Sequence, residues 1–221
     1  MQPTYLPWIG YFDLIKNCDL FVFLDDVQFS KRSWQQRNKI LNNQSITTLT
    51  VPVFTKNKFY QKINESKINN EGNWKKKHLS SIIFNYSKHK YFKEFFELYQ
   101  KDIIKDHEIL SKLNVSLIKT ITNYLNINCN FELSSNLDLH KNKEDKIIEI
   151  LKITNAKEYI STPGSVDYLG DGENIIKHGF KFKYRNYKIK EYDQKNLKNF
   201  VPNLSIIDLI FNHGKNSIFF I

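Results

Sequence analysis

Two rhythms of apolar residues alternate along the chain. The run Asp19-Leu-Phe-Val-Phe-Leu24 is apolar without interruption after its first residue. It predicts a strand buried on both faces, as in a parallel sheet covered by helices. It ends in Asp25-Asp26, where an open α/β sheet carries its functional loops. Thr47 to Val53, closed by Pro52, predicts a second strand. Pro3 and Pro7 exclude a regular helix over the opening residues, and Tyr11 to Asn17 predicts a short helix. Helical spacing dominates the middle, over Trp74–Tyr86, Tyr91–Ile104 and Asp106–Leu125. In the last of these, Leu110, Leu113, Leu117, Ile121 and Tyr124 form one apolar face. Alternation then returns: strand Phe131–Leu133, helix Glu144–Ile153, strand Tyr159–Ser161, helix Asn174–His178 ending at Gly179, strand Phe180–Tyr184 and helix Ser205–Asn212. Strands alternating with helices predict an α/β fold with a mostly parallel sheet. The expected organisation is one domain spanning 1–221, with a helical insertion at about 70–127.

Composition changes this picture little. With 41% hydrophobic residues, 17 Phe and 12 Tyr, the chain has material for a substantial core. No apolar run approaches the ~18 residues of a membrane span. The opening lacks the basic-then-apolar layout of a secretory signal, so a cytoplasmic location is expected. Two cysteines, Cys18 and Cys129, make neither a disulfide framework nor a four-ligand zinc site, and they read as packed thiols. The net charge of +10 attracts phosphate-bearing partners. The lysines are spread evenly, however, and no zinc finger or RNA-recognition motif appears, so nucleic acid is not an expected partner. No histidine pair has metal-binding spacing, and no cofactor is identifiable.

The candidate chemistry concentrates near the N-terminus. Asp25 and Asp26 end a strand. Adjacent residues on an extended chain point to opposite sides, so at most one is expected to face a site. Asp26 could serve as a general base or hold a sugar hydroxyl; the plainer reading is a turn or helix cap. Lys31, Arg32 and Arg37 cluster around Trp34. Guanidinium forks suit a pyrophosphate and an indole stacks on a base or sugar, although the same pattern makes a solvated basic helix face. His78 follows three lysines in a helix. Neighbouring cations lower an imidazole pKa toward a useful base, but a lone helical histidine is commonly structural. The loop Thr162-Pro-Gly-Ser165 after a strand could cradle a phosphate through backbone N–H groups, or simply turn the chain.

Taken in order, Gln2-Pro-Thr-Tyr-Leu-Pro-Trp-Ile-Gly10, Leu24-Asp-Asp-Val-Gln-Phe29, Lys31-Arg32-Ser-Trp34 and Arg37-Asn38 resemble the opening signature of the WbqC-like family. The resemblance continues through Thr50-Val-Pro52, Trp74 with Lys77-His78, Tyr159-Ile-Ser161, Tyr168-Leu169, Tyr192 with Gln194, Pro202 to Asp208, and Gly214. It implies a role in bacterial O-antigen or other surface-polysaccharide synthesis. The expected activity is a transferase acting on a nucleotide-activated amino sugar or related glycan precursor, plausibly forming an amide by acyl or aminoacyl transfer. The alternative is a non-catalytic nucleotide-sugar-binding protein or scaffold, partnered by glycan-pathway enzymes. Asp26 and His78 are the candidate catalytic groups. Gln2, Tyr5, Trp8, Gly10, Gln28, Lys31, Arg32, Trp34, Arg37, Asn38, Ser161, Tyr192, Gln194 and Asp208 are the candidate substrate-binding residues. Convergence of Asp26, His78 and the basic cluster on one cleft would favour the enzyme; scattering would favour the scaffold. Family members carry a short apolar strand ahead of Gln-Pro. This sequence opens at Met1-Gln2-Pro3, so that strand is expected to be missing and its neighbours' backbone groups left unpaired. The opening also resembles, distantly, a Rossmann-like nucleotidyltransferase with a HIGH-type motif. Trp8 and Tyr11 stand where its histidines fall, while the helix start at Gly10 could still receive an anion.

Overall fold

A computed structural model describes residues 1–43, 45–195 and 197–221. It is a mixed α/β structure. Helix α1 (Ile9–Lys16) precedes strand β1 (Leu20–Phe23), and β2 (Arg37–Asn42) and β3 (Ser45–Thr50) follow. Helices α2 (Trp74–Tyr86), α3 (Phe92–Ile103) and α4 (Leu110–Tyr124) occupy the middle. Then come β4 (Asn130–Leu133), α5 (Lys143–Ile153), β5 (Glu158–Ser161), α6 (Val166–Leu169), α7 (Glu173–Lys177), β6 (Lys181–Tyr184) and α8 (Ile206–His213).

The strands pair in three twos. β1 and β4 are parallel, with Phe21 opposite Phe131. β5 and β6 are parallel, with Tyr159 opposite Phe182. β2 and β3 are antiparallel, with Arg37 opposite Thr50. The expected single, mostly parallel sheet is thus two parallel pairs and a hairpin. The hairpin's first strand, over Arg37–Asn42, went unpredicted because its alternation is carried by polar and charged residues, with only Asn38, Ile40 and Leu41 buried. That strand also removes the helical setting expected for Arg37.

Helix α4 starts four residues later than its apolar periodicity predicts. Residues ahead of it stay extended because Ile109 bridges Lys67, Ile68 N–H donates to the Glu108 carbonyl and Leu110 N–H donates to the Ser66 carbonyl. Its predicted face is buried as spaced, from Leu110 to Tyr124.

The main core joins β1, α1, the hairpin and the helices α2, α3, α4 and α8, around Phe12, Phe23, Tyr86, Phe95 and Phe211. A smaller core gathers Ile147, Ile148 and Leu151 of α5 with Leu169, Ile175, Tyr159 and Phe182. A two-pronged ion pair ties the second assembly to the first: Arg185 donates through Nε (2.6 Å) and Nη2 (2.7 Å) to the buried Asp13 of α1. No helix is long and apolar enough to cross a membrane, among the described residues.

β1 is not buried on both faces. Phe21 and Phe23 are buried, while Leu20, Val22 and Leu24 are half-buried beside a large cavity. Along that same side, Met1 donates from its ammonium to the Val22 carbonyl (2.8 Å) and accepts from Leu24 N–H (2.9 Å).

Candidate functional site

Beyond the C-terminal ends of β1 and β4 the chain gathers a compact polar cluster. β1 stops at Phe23, and Asp25 N–H donates back to the Phe23 carbonyl (3.0 Å), so the two aspartates lie in a turn instead of an extended strand. Both carboxylates therefore reach the same partners, which corrects the expectation that only one could. Ser135 donates to Asp25 through its N–H (3.0 Å) and its hydroxyl (2.7 Å). Ser134 Oγ bonds Asp26 Oδ1 and stands 3.3 Å from Asp25 Oδ1. Lys146 of α5 pairs with Asp26 Oδ2, both side chains being largely covered. Burial pushes the Asp26 carboxyl up, but the Lys146 ammonium and the Ser134 hydroxyl outweigh it and hold the acid below its ordinary value. Asp26 is thus a carboxylate committed to a cation, poorly suited to taking a proton at neutral pH. Lys146 was not singled out from sequence; its position beside Ile147 and Ile148 on an apolar helix face is the signal that could have found it.

The cavity, about 1370 Å³, runs between β1 and β5. Because Met1 lies beside β1, the residues after it lie past the strand's C-terminal end. Gln2 and Thr4 line the cavity there, opposite Ser161, Thr162, Gly164 and Ser165, which end β5. The opening segment is held by side-chain amides. Gln35 donates to Gln2 Oε1 (2.8 Å), Asn114 to the Pro3 carbonyl (3.1 Å), and Asn38 to the carbonyls of Tyr5 (3.2 Å) and Leu6 (2.7 Å). These fixings hold Leu6 at φ 43°, a backbone conformation that a leucine adopts only under constraint. Trp34, Asn38 and Lys39 of the adjoining hairpin also line the cavity, with Lys39 Nζ 5.6 Å from the Trp34 ring centre.

Of the residues expected to bind substrate, Gln2, Trp8, Trp34, Asn38 and Ser161 border this cavity. Gly10 is buried in the first turn of α1, and the Trp8 ring lies over it; a Cβ there would stand 2.4 Å from that ring. The indole thus covers the helix start expected to receive an anion. Lys31 and Arg32 are exposed in a turn, with Arg32 at φ 61°, and Arg37 opens β2; none of the three borders the cavity. The cation beside Trp34 is Lys39, recognisable only once residues 37–42 are known to be a strand. Gln28 is exposed, donating to the Phe59 carbonyl (3.0 Å).

The other candidates are built into the core. His78 is buried on the α2 face made by Trp74, Ile82 and Tyr86. Its Nε2–H donates to the Thr50 carbonyl (3.2 Å), which leaves Nδ1 to accept from the Tyr5 hydroxyl (2.8 Å), itself 3.1 Å from Tyr99 Oη. Burial drives its pKa down to about 4, only partly offset by the Thr50 carbonyl. Asp208 is buried in α8, accepting from Tyr86 (2.8 Å), Tyr192 (2.8 Å) and Gln194 (3.0 Å), and burial raises its pKa against those bonds. Neither His78 nor the Asp208 group borders the cavity. The Ser161 and Ser165 hydroxyls bond each other at 2.6 Å, and Ser165 Oγ donates to the Thr162 carbonyl. Cys18 and Cys129 are half-buried free thiols 3.7 Å apart. Among the described residues, no group of three His, Cys, Asp or Glu side chains is placed to hold a metal ion.

The family model of the WbqC-like proteins matches residues 2–219. The chain belongs to the WbqC-like protein family. An uncharacterized protein of Mycobacterium tuberculosis is 35% identical to this WbqC-like chain over 218 residues, covering 97% of it and 92% of the relative. No solved structure matches.

Proposed function

We propose that this WbqC-like protein binds a nucleotide-linked sugar, or a similar phosphorylated glycan precursor, at the cavity end bordered by Gln2, Thr4, Trp34 and Lys39 on one side and Ser161 to Ser165 on the other. The observation that carries this reading is the pairing of an exposed Trp34 ring with Lys39 beside a hydroxyl-rich loop at the C-terminal end of a parallel strand. An indole stacks on a base or sugar ring, an ammonium neutralises phosphate, and open α/β sheets take ligands at strand C-terminal ends. The family resemblance to proteins of surface-glycan gene clusters supports the ligand class. Asp26, His78 and the Lys31–Arg32–Arg37 group do not converge on one cleft, which favours binding over catalysis by those residues.

The second reading is transfer to or from the bound sugar, and one observation favours it: the Asp26–Lys146–Ser134 cluster, a largely covered ion pair with a hydroxyl on it beyond two parallel strand ends. Titration with uridine-, thymidine- and guanosine-diphosphate sugars tests both readings. Trp34→Ala or Lys39→Ala is expected to weaken binding by about 1.5–3 kcal/mol for the charged contact, with unchanged melting. No binding across the panel would sink the proposal. Affinity lost instead in Arg32→Ala or Arg37→Ala would move the phosphate to the outer hairpin face. Product formed with an acyl or aminoacyl donor would establish the transferase.

A further inference from the structure

The cavity has the dimensions and edges of a missing strand. Odd-numbered residues of β1 turn toward β4, as the Asp19 carbonyl does in accepting from Asn130 N–H (2.9 Å). Leu20, Val22 and Leu24 consequently turn their N–H and C=O groups the other way, into the cavity. On its far side, the Lys157 and Ser161 carbonyls accept from Lys181 and Arg185 of the β6 strand (3.0 and 2.8 Å). Glu158 and Ile160 therefore present their backbone groups to the cavity. Two parallel strand edges thus face each other along their length, between the apolar side chains Leu14 of α1 and Ile150 of α5.

At one end the space is already occupied as a strand would occupy it. Met1 makes both hydrogen bonds of a parallel pairing opposite Phe23, donating to Val22 and accepting from Leu24. We propose that the cavity is the seat of a parallel β-strand continuing the chain immediately upstream of Met1, paired with β1 on one side and β5 on the other. In this register the residue two places before Met1 accepts from Val22 N–H and donates to the Leu20 carbonyl. The direction of the chain at Met1 points its predecessor into the slot, and a strand of about five or six residues matches its neighbours. The Met1 ammonium, standing where a peptide N–H belongs, has its pKa pushed down to about 5 by burial.

Filling the slot changes the architecture. The strands then lie in the order β4, β1, the upstream strand, β5, β6, which in chain order is three, two, one, four, five. That is the doubly wound order, whose ligand crevice opens where the order reverses. The reversal falls between the upstream strand and β5, so the crevice is framed by Gln2–Thr4 and Thr162–Ser165. Most of the 1370 Å³ is then backbone-lined strand seat, and ligand is left only its C-terminal end. The strand itself rests on the hydrogen bonds above and stands whether or not a nucleotide-sugar binds.

The test starts from protein expressed from its own gene with the upstream in-frame codons and a C-terminal tag. Intact mass is expected to exceed that of the tagged Met1–Ile221 chain by at least about five residues, one strand's length. Amide exchange at Val22 and Ile160 is expected to slow by about 100-fold or more relative to the Met1–Ile221 chain. A proline placed two residues ahead of Met1 removes the donor to Leu20 and is expected to restore fast exchange at both. That variant also provides the comparison should the shorter chain fail to fold. A mass beginning at Met1 overturns the proposal. So does unchanged exchange, or protection of Val22 without Ile160, which would mean a strand on the β1 edge alone.

Discussion

At the residue scale, His78 shows how far type and spacing carry. Trp74, His78, Ile82 and Tyr86 recur every four residues, a spacing that puts all four on one helix face. That face was legible; that it turns inward, beneath Thr50 and Tyr5, depended on the unpredicted hairpin. With both ring nitrogens bonded inside the core, His78→Ala leaves the Thr50 carbonyl and Tyr5 hydroxyl unpaired and opens a cavity. The expected cost is about 3–5 kcal/mol, seen as a collapsed thermal melt, with ligand affinity of the folded fraction unchanged. A preserved melt with lost turnover would instead make His78 catalytic. Gly10 is the opposite case. Alanine in a helix interior gains up to about 1 kcal/mol over glycine, yet here its Cβ would sit 2.4 Å from the Trp8 ring. Overpacking of that kind costs about 1–3 kcal/mol, so the steric effect wins. Gly10→Ala is expected to lower the melting temperature, or to swing Trp8 outward with a red-shifted tryptophan emission.

At the element scale, regular elements with strong apolar rhythm were legible and polar ones were not. β1, β4, β5, β6 and the helices α1 to α5, α7 and α8 stand within a few residues of their predicted places, because burial of one face writes itself into the sequence. The hairpin did not, since three of the six residues of β2 are Arg, Asn and Lys. Its loss misplaced the basic cluster: Arg37 sits in a strand, and Lys39 takes the place beside Trp34. The Asp26–Lys146 pair couples two elements, β1 and α5, that are 120 residues apart in sequence. Removing one member of a covered pair is worse than removing its charge along with its need for a partner. Asp26→Asn strands the Lys146 ammonium and is expected to cost roughly 2–4 kcal/mol, less than a fully buried pair because both side chains keep some solvent contact. Lys146→Met should cost less, and the double variant less than the sum. Urea midpoints of the three proteins measure this; additive costs would mean the pair contributes nothing as a pair. Asp26 has its pKa depressed in the fold, so its contribution is present above the ordinary carboxylate range. It is lost as pH falls below that range.

At the scale of the whole molecule, the sequence spoke for a parallel α/β sheet, and the structure holds two parallel pairs separated by a slot. The pairing partners of β1 and β5 were beyond the reach of local pattern, because no residue of the chain fills the space between them. The exposed symptom is the Met1 ammonium, bonded to the Val22 carbonyl and desolvated. An α-amine ordinarily titrates near 8, and burial lowers this one to about 5. The folded state therefore resists a proton that the unfolded chain accepts readily. The unfolded chain binds more protons between those values, so stability rises with pH across that window. The contribution is fully present above pH 8 and is lost as pH falls through 8 toward 5. Each pH unit of difference is worth 1.36 kcal/mol, which bounds the loss at about 4 kcal/mol. His78 adds in the same direction at the acid end, because its imidazole is also kept neutral down to about 4. The two separate by chemistry. N-terminal acetylation, or extension of the chain upstream of Met1, replaces the amine by an amide that does not titrate. Either change is expected to flatten the melting-temperature profile between pH 6.5 and 8, where His78 contributes little, while leaving the steeper fall below pH 6.5 in place. An unmodified chain whose melting temperature is already flat from pH 6.5 to 8 would mean that the amine is solvated, and that β1 is not engaged by Met1.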